Sequence, residues 1–301
     1  MSAPKRRGRG KSQKTLDFIE AMRAYLEEQH PATVRSVCYQ MFVQGWIDSM
    51  ARKNTQKVSK HLVWARENGV VPWHWIVDEH RQVEQAPSWD DPETLIHAAV
   101  SQYRKDYWAE QPMQVEVWSE KGTVRGVLQP ILTEYGLPFR VMHGFSSATV
   151  MNNVAAMTRR SAKELVILYV GDWDPSGMYM SEQDIPERLR RYEGDAHIER
   201  VALTRADTHG LPSFEAASKS KDTRHKWFVE HYGQTCWELD ALPPQELRSS
   251  VRDSIDLHLD QDAWEQSKMI EQAETDSIRS LVGEWSASIS TQVSKYLQGD
   301  L

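Results

Sequence analysis

Apolar residues recur every three or four positions across Thr15–His30, where Leu16, Ile19, Met22 and Leu26 share one stripe, and this spacing predicts a helix that Pro31 ends. Thr33 is placed to cap a second helix, Val34–Gln44, which Gly45 closes. A third helix is predicted from about Asn54 to Asn68, with Gly69 behind it, and the β-branched and aromatic run Val70–Val77 reads as extended. The polar, proline-containing stretch Glu84–Pro92 has no periodicity and reads as a linker. A helix over Pro92–Ala109 follows, with Leu95, Ala98, Ala99, Tyr103 and Trp108 as candidates for burial. From residue 113 the rhythm changes. Strand-like runs (MQVEVW, PFRVMH, ELVILYV, IERVAL) alternate with helical stretches at Gly122–Tyr135, about Ser147–Thr158, and Pro175–Tyr192.

Three short, sharply punctuated helices followed by an extended run predict a winged helix-turn-helix over residues 15–83. Alternating strands and helices predict an α/β domain over residues 112–243, with a parallel sheet flanked by helices. Residues 84–111 form the linker and its helix, and residues 244–301 a helical C-terminal extension. In that extension Ile278, Leu281, Val282, Trp285, Ile289 and Tyr296 form one stripe, read as packing on the chain's own core in preference to a dimer contact.

Charge changes this picture at one end only. Of 36 Lys and Arg residues six fall in residues 1–14, whereas none of the 43 acidic residues does, so a basic, glycine-containing tail precedes an acidic body. The tail is expected to be disordered and to favour a polyanion locally. A second basic feature is the third helix, which would carry Lys53, Lys57 and Lys60 on one face, with Arg52 and Arg66 nearby and no acidic residue between Met50 and Arg66. Such a face suits double-stranded DNA through its phosphates. No apolar run approaches the roughly 20 residues that span a bilayer, and the basic N-terminus lacks an apolar signal core, so a cytoplasmic protein without membrane contact is expected, nucleoid-associated if bacterial. Cys38 and Cys236 are too few for a metal cage or a disulfide framework and are expected to be reduced thiols.

The candidate chemistry starts at GDWDPSG, Gly171–Gly177, directly after the apolar run ELVILYV. The two-residue alternation of extended chain puts Asp172 and Asp174 on one side. Like charges this close are costly without a shared cation, and hard carboxylate oxygens suit Mg²⁺. Glu120, with Lys121 beside it, follows the earlier run MQVEVW at a second strand-to-helix turn. Carboxyl ends of neighbouring parallel strands open into one crevice, so Glu120, Asp172 and Asp174 are expected to meet. Pro175 starts the next helix, and Gly177 permits close backbone approach.

This constellation, spanning roughly Gln114–Arg205, resembles the Toprim domain, the metal-binding α/β module of topoisomerases, primases and some nucleases. The resemblance implies that Asp172 and Asp174 hold Mg²⁺ and that Glu120 serves metal or acid–base chemistry, with Lys121 adjacent. Upstream, in TVRSVCYQMF, Arg35 and Tyr39 stand four apart and share a helix face. A Thr-x-Arg-x-x-x-Tyr pattern ahead of a Toprim-like domain resembles the A subunit of topoisomerase VI and its meiotic double-strand-break relatives, in particular compact stand-alone members of bacteria and phages. That resemblance implies that Tyr39 attacks a DNA phosphate and that Arg35 assists. Relatives often place two aromatic residues in succession here, whereas Cys38 precedes Tyr39 in this chain. The segment Lys221–Pro243 is also similar to one in those A subunits, which singles out Asp222, Arg224, Glu238 and Asp240, either as phosphate-contacting groups or as a structural salt-bridge cluster. The resemblance further implies a homodimer in which Tyr39 of one protomer meets the carboxylates of the other, and a separate ATPase subunit, since no P-loop is present. Two other readings stay open. One is a Toprim nuclease that hydrolyses DNA without a covalent intermediate; the other is a DNA-binding regulator or scaffold without catalysis.

Overall fold

The computed structural model describes residues 11–77, 88–142 and 148–298. Most of the basic tail, the junction at residues 78–87 and the loop at residues 143–147 lie outside the described residues. The chain divides into two compact units. The first comprises residues up to 79 together with 115–257, and the second joins 80–114 to 258–301.

The first unit opens with helices α1 (Gln13–Gln29), α2 (Val34–Val43) and α3 (Arg52–Glu67). Phe18, Ile19, Met22 and Leu26 of α1 pack with Val37 and Met41 of α2 and with Val58 and Leu62 of α3, all buried. Thr33 caps α2 as its position requires, its hydroxyl accepting from the Ser36 N–H at 2.9 Å. The run Val70–Val77 departs from expectation. Pro72 leads a single 3₁₀ turn at Trp73–Trp75, and only Ile76–Val77 (β2) is extended. β2 pairs in parallel with Ala32–Thr33 (β1), so no antiparallel wing hairpin is found among the described residues. Proline fixes φ and lacks an N–H, and this favours the turn over a strand that the β-branched and aromatic composition alone would suggest.

The rest of this unit is a parallel four-stranded sheet flanked by helices, in the order β4-β3-β5-β6. Its strands are β3 (Met113–Ser119), β4 (Phe139–Val141), β5 (Glu164–Val170) and β6 (His197–Ala202). Helices α5 (Thr123–Tyr135) and α6 (Ala148–Arg160) follow β3 and β4. One layer of the core joins Trp118, Ile167 and Tyr169 of the sheet to Met151, Val154 and Leu189 of the helices. The helix expected over Pro175–Tyr192 is divided into α7 (Pro175–Tyr179), a π turn at Met180–Asp184, and α8 (Ile185–Arg191). Pro186 has no N–H to return to the preceding turn, which accounts for the widened spacing there. A small antiparallel pair, β7 (Phe214–Glu215) with β8 (Thr235–Cys236), brackets α9 (His225–Tyr232), and α10 (Pro244–Leu257) completes the unit.

The second unit contains α4 (Pro92–Gln102) and the 38-residue α11 (Gln261–Gln298). α4 stops seven residues short of the expected end, and Leu95, expected inside, is 43% exposed. Trp108 is buried beside Trp264, and Tyr103 and Lys105 both reach Glu274. Of the C-terminal stripe, Val282 is buried and Leu281 faces out. No helix among the described residues is long and apolar enough to cross a membrane.

One glycine carries a direct test of this packing. A Cβ built on Gly177 would lie 2.3 Å from the Asp172 carbonyl oxygen, a rigid backbone atom. Gly177→Ala is therefore expected to cost about 1–3 kcal/mol, read as a lowered urea midpoint with an unchanged slope.

Candidate functional site

The extended chain continues past β5. Trp173 forms an antiparallel bridge with Trp237, their N–H and C=O groups exchanging bonds of 3.0 and 2.9 Å. Asp172 and Asp174 flank that bridge, so the expected alternation holds beyond the strand itself. Both are buried, at 8% and 2% exposed. Asp172 accepts from the Lys121 ammonium at 2.8 Å and from the Leu239 N–H at 2.8 Å. Asp174 caps α7 through the Gly177 N–H at 2.8 Å and forms an ion pair with Lys219.

Glu120 joins them from the end of β3. Ser176, two residues past Asp174, donates to its carboxylate at 3.4 Å. Burial, and then the charges of Asp174 and Asp172, raise the Glu120 pKa above its ordinary value of 4.5. In the window between those two values the folded chain binds more protons than the unfolded one, so stability falls as pH rises through it. Glu120→Gln is expected to unfold at higher urea than the unaltered chain at pH 8, with the gap closing below pH 4.5.

The aspartates thus lie near enough to Glu120 for their charges to act on it, but each already has an ammonium partner. Among the described residues no three His, Cys, Asp or Glu side chains are gathered as a ready metal cage. The donor chemistry nonetheless suits Mg²⁺, which takes one or two protein carboxylates and completes its shell with water and substrate phosphate. The Tyr169 hydroxyl agrees with a polar occupant nearby, being buried without a hydrogen-bond partner and influenced by Glu120, Asp172 and Asp174.

A second group of residues borders this cluster. Glu238 and Asp240 lie in the segment after β8, where a 3₁₀ turn spans Leu239–Ala241. Glu238 forms an ion pair with Arg35 of α2, and Asp240 accepts from Thr33 at 2.7 Å and from Lys121 at 3.1 Å. Lys121 therefore bridges Asp172 and Asp240, and the two carboxylates raise its pKa against the effect of burial. A cavity of about 470 Å³ is lined by Thr33, Arg35, Lys121, Asp172, Glu238 and Asp240, among others. Tyr39 sits behind Arg35, whose guanidinium carbon is 5.9 Å from its ring centre. It is 6% exposed, and burial, followed by the charge of Glu238, pushes its phenol up to about 12.

The remaining candidates separate. Asp222 and Arg224 pair with each other at 3.1 Å. Lys53, Lys57 and Lys60 are exposed on α3, opposite its buried Val58, Leu62 and Ala65. Arg66 lies over the Trp73 ring at 4.8 Å. Two residues absent from the sequence reading belong to the site. Lys219 is the partner of Asp174, and Arg200 of β6 fastens the loop that carries both aspartates. Its guanidinium donates to the carbonyls of Leu203 (2.7 Å), Gly177 (3.1 Å), Gly171 (3.1 Å) and Asp172, and to the Ser181 hydroxyl (2.8 Å). Comparison with models of known protein families and with curated protein sequences finds no match.

Proposed function

We propose that this chain cleaves DNA with a divalent cation, Mg²⁺, at the Glu120–Asp172–Asp174 cluster, by tyrosine transesterification as in the topoisomerase VI A subunits that its motifs resemble. The observation that supports the reading is the placing of buried Asp172 and Asp174 after β5 and of half-buried Glu120 after β3, with Ser176 of the aspartate loop donating to Glu120 and the aspartate charges acting on it. Asp172 and Asp174 would hold the cation, with Glu120 as the third acidic group. When bound, Mg²⁺ supplies charge neutralisation on the phosphate oxygens and orientation of the attacked phosphorus. The chain's own residues do the rest. Exposed Lys53, Lys57 and Lys60 receive backbone phosphates of double-stranded DNA. Lys121 and Lys219, once the aspartates turn to the cation, offer their ammonium groups to the phosphate. Tyr39 forms the new bond from its oxygen to phosphorus as the deoxyribose oxygen leaves with a proton, and the neighbouring Arg35 counters the developing charge. By the same resemblance the active form is a homodimer, with Tyr39 supplied across the dimer and strand passage driven by a separate ATPase subunit.

A second reading is hydrolysis, in which water replaces Tyr39 as the nucleophile. It is favoured by one specific observation: Tyr39 is buried and its phenol is hard to ionise. Tyr39→Phe separates the two. Supercoiled plasmid is incubated with the chain and Mg²⁺, then treated with protease. Transesterification predicts a mobility change that appears only after protease and vanishes in the variant. Cleavage that persists in Tyr39→Phe, with no protein-bound ends, assigns the nucleophile to water.

A further inference from the structure

An aromatic patch runs outward from the carboxylate cluster, and its composition differs from that of the core. Trp173, between the two aspartates, meets Tyr232 edge to face at 5.4 Å. Tyr232 meets Trp227 at 5.7 Å, and Trp227 in turn meets Tyr179 at 5.2 Å and His231 at 4.9 Å. The Arg224 guanidinium lies 5.9 Å from the Tyr179 ring centre. Trp173 is buried, but Tyr179, Trp227 and Tyr232 are half-buried and His231 is exposed. Four aromatic rings are therefore left partly open to water within three ring-to-ring steps of Trp173.

Charge around the patch is unlike that of the acidic body. The stretch Lys219–His231 carries Lys219, Lys221, Arg224 and Lys226 against Asp222 and Glu230. Lys219 and Arg224 are engaged by Asp174 and Asp222. Lys221 and Lys226 are exposed and enter no ion pair among the described residues. Partly exposed aromatic rings interleaved with exposed ammonium groups match one ligand chemistry well: a flat π system linked to phosphate. In a duplex each base face is covered by its neighbours in the stack. A protein ring can take that face only when the base is unpaired.

We propose that α9 and α7 form a stacking platform for unpaired nucleotides of single-stranded DNA, with Trp227 as its central ring, Tyr179 and His231 beside it, and Lys221 and Lys226 on the phosphates. This rests on the reading that the chain acts on DNA and refines it: the strand brought to the carboxylates is locally single-stranded at the platform.

The test measures binding of the full-length chain, in EDTA, to a fluorescein-labelled deoxythymidine oligonucleotide and to a labelled duplex of equal length. Trp227→Leu is expected to weaken single-strand binding roughly tenfold, with Trp227→Phe restoring most of it and duplex affinity unchanged in both. Lys226→Glu is expected to weaken single-strand binding and to flatten its salt dependence. Tyr179→Leu gives the same reading if Trp227→Leu does not fold. Unchanged single-strand binding in both ring variants, or an equal loss on duplex, overturns the platform. Duplex binding without single-strand binding by the unaltered chain overturns the platform alone, whereas binding to neither overturns the DNA reading with it.

Discussion

Asp174→Asn is expected to slow Mg²⁺-dependent cleavage at least about a hundredfold while leaving duplex binding in place, since even groups that only support a metal ligand cost 10–100-fold when removed. The substitution is structurally mild at one point. Asparagine caps a helix as well as aspartate does, so the bond from the Gly177 N–H survives and α7 keeps its start. What is lost is the negative charge facing Lys219 and the hard oxygen pair offered to a cation. The α3 lysines are untouched. Gel shift on duplex DNA and plasmid cleavage, run on the same preparation, read the two effects separately. Undiminished cleavage by Asp174→Asn would sink the catalytic proposal and leave a DNA-binding scaffold. Asp172→Asn is expected to lose cleavage as well, but with a larger loss of stability, because Asp172 serves the Leu239 N–H and Lys121 together.

Arg200→Ala is expected to destabilise the first unit by about 3–4 kcal/mol, the largest effect on folding of any single substitution near the site. One guanidinium supplies donors to four carbonyl oxygens and a hydroxyl drawn from Gly171, Asp172, Gly177, Ser181 and Leu203. Alanine leaves those acceptors without that donor. Lysine restores the charge but offers one nitrogen in place of three, so Arg200→Lys is expected to recover less than half of the loss. Thermal unfolding monitored by far-UV circular dichroism reads both variants. A midpoint for Arg200→Ala within a degree or two of the unaltered chain would show that the loop is held by other contacts.

The parts of this molecule legible in its sequence are those written in local pattern. The apolar run before GDWDPSG gave away β5, Pro175 gave the start of α7, and the recurrence of strand and helix gave the parallel sheet. Glu120 was readable because it ends a second apolar run. Lys219 was not, since it lies 45 residues beyond Asp174 in a serine- and lysine-rich stretch without periodicity. Arg200 was hidden for a different reason: all five of its acceptors are backbone carbonyls or a serine, which leave no complementary charge in the sequence to notice. The extended reading of Val70–Val77 overvalued β-branched and aromatic composition and undervalued Pro72. Arg224 pairs with one of the carboxylates singled out in its own segment, Asp222, two residues away, a contact that local spacing alone makes available.

Lys121 and Lys219 give the cluster counter-ions that are covalently part of the chain. On the proposed function, chelation is therefore expected to remove no support on which the fold depends, because two tethered ammonium groups already face the aspartates. A preparation dialysed against EDTA is expected to keep its far-UV circular dichroism and its unfolding midpoint, and added Mg²⁺ to restore the proposed cleavage without a refolding step.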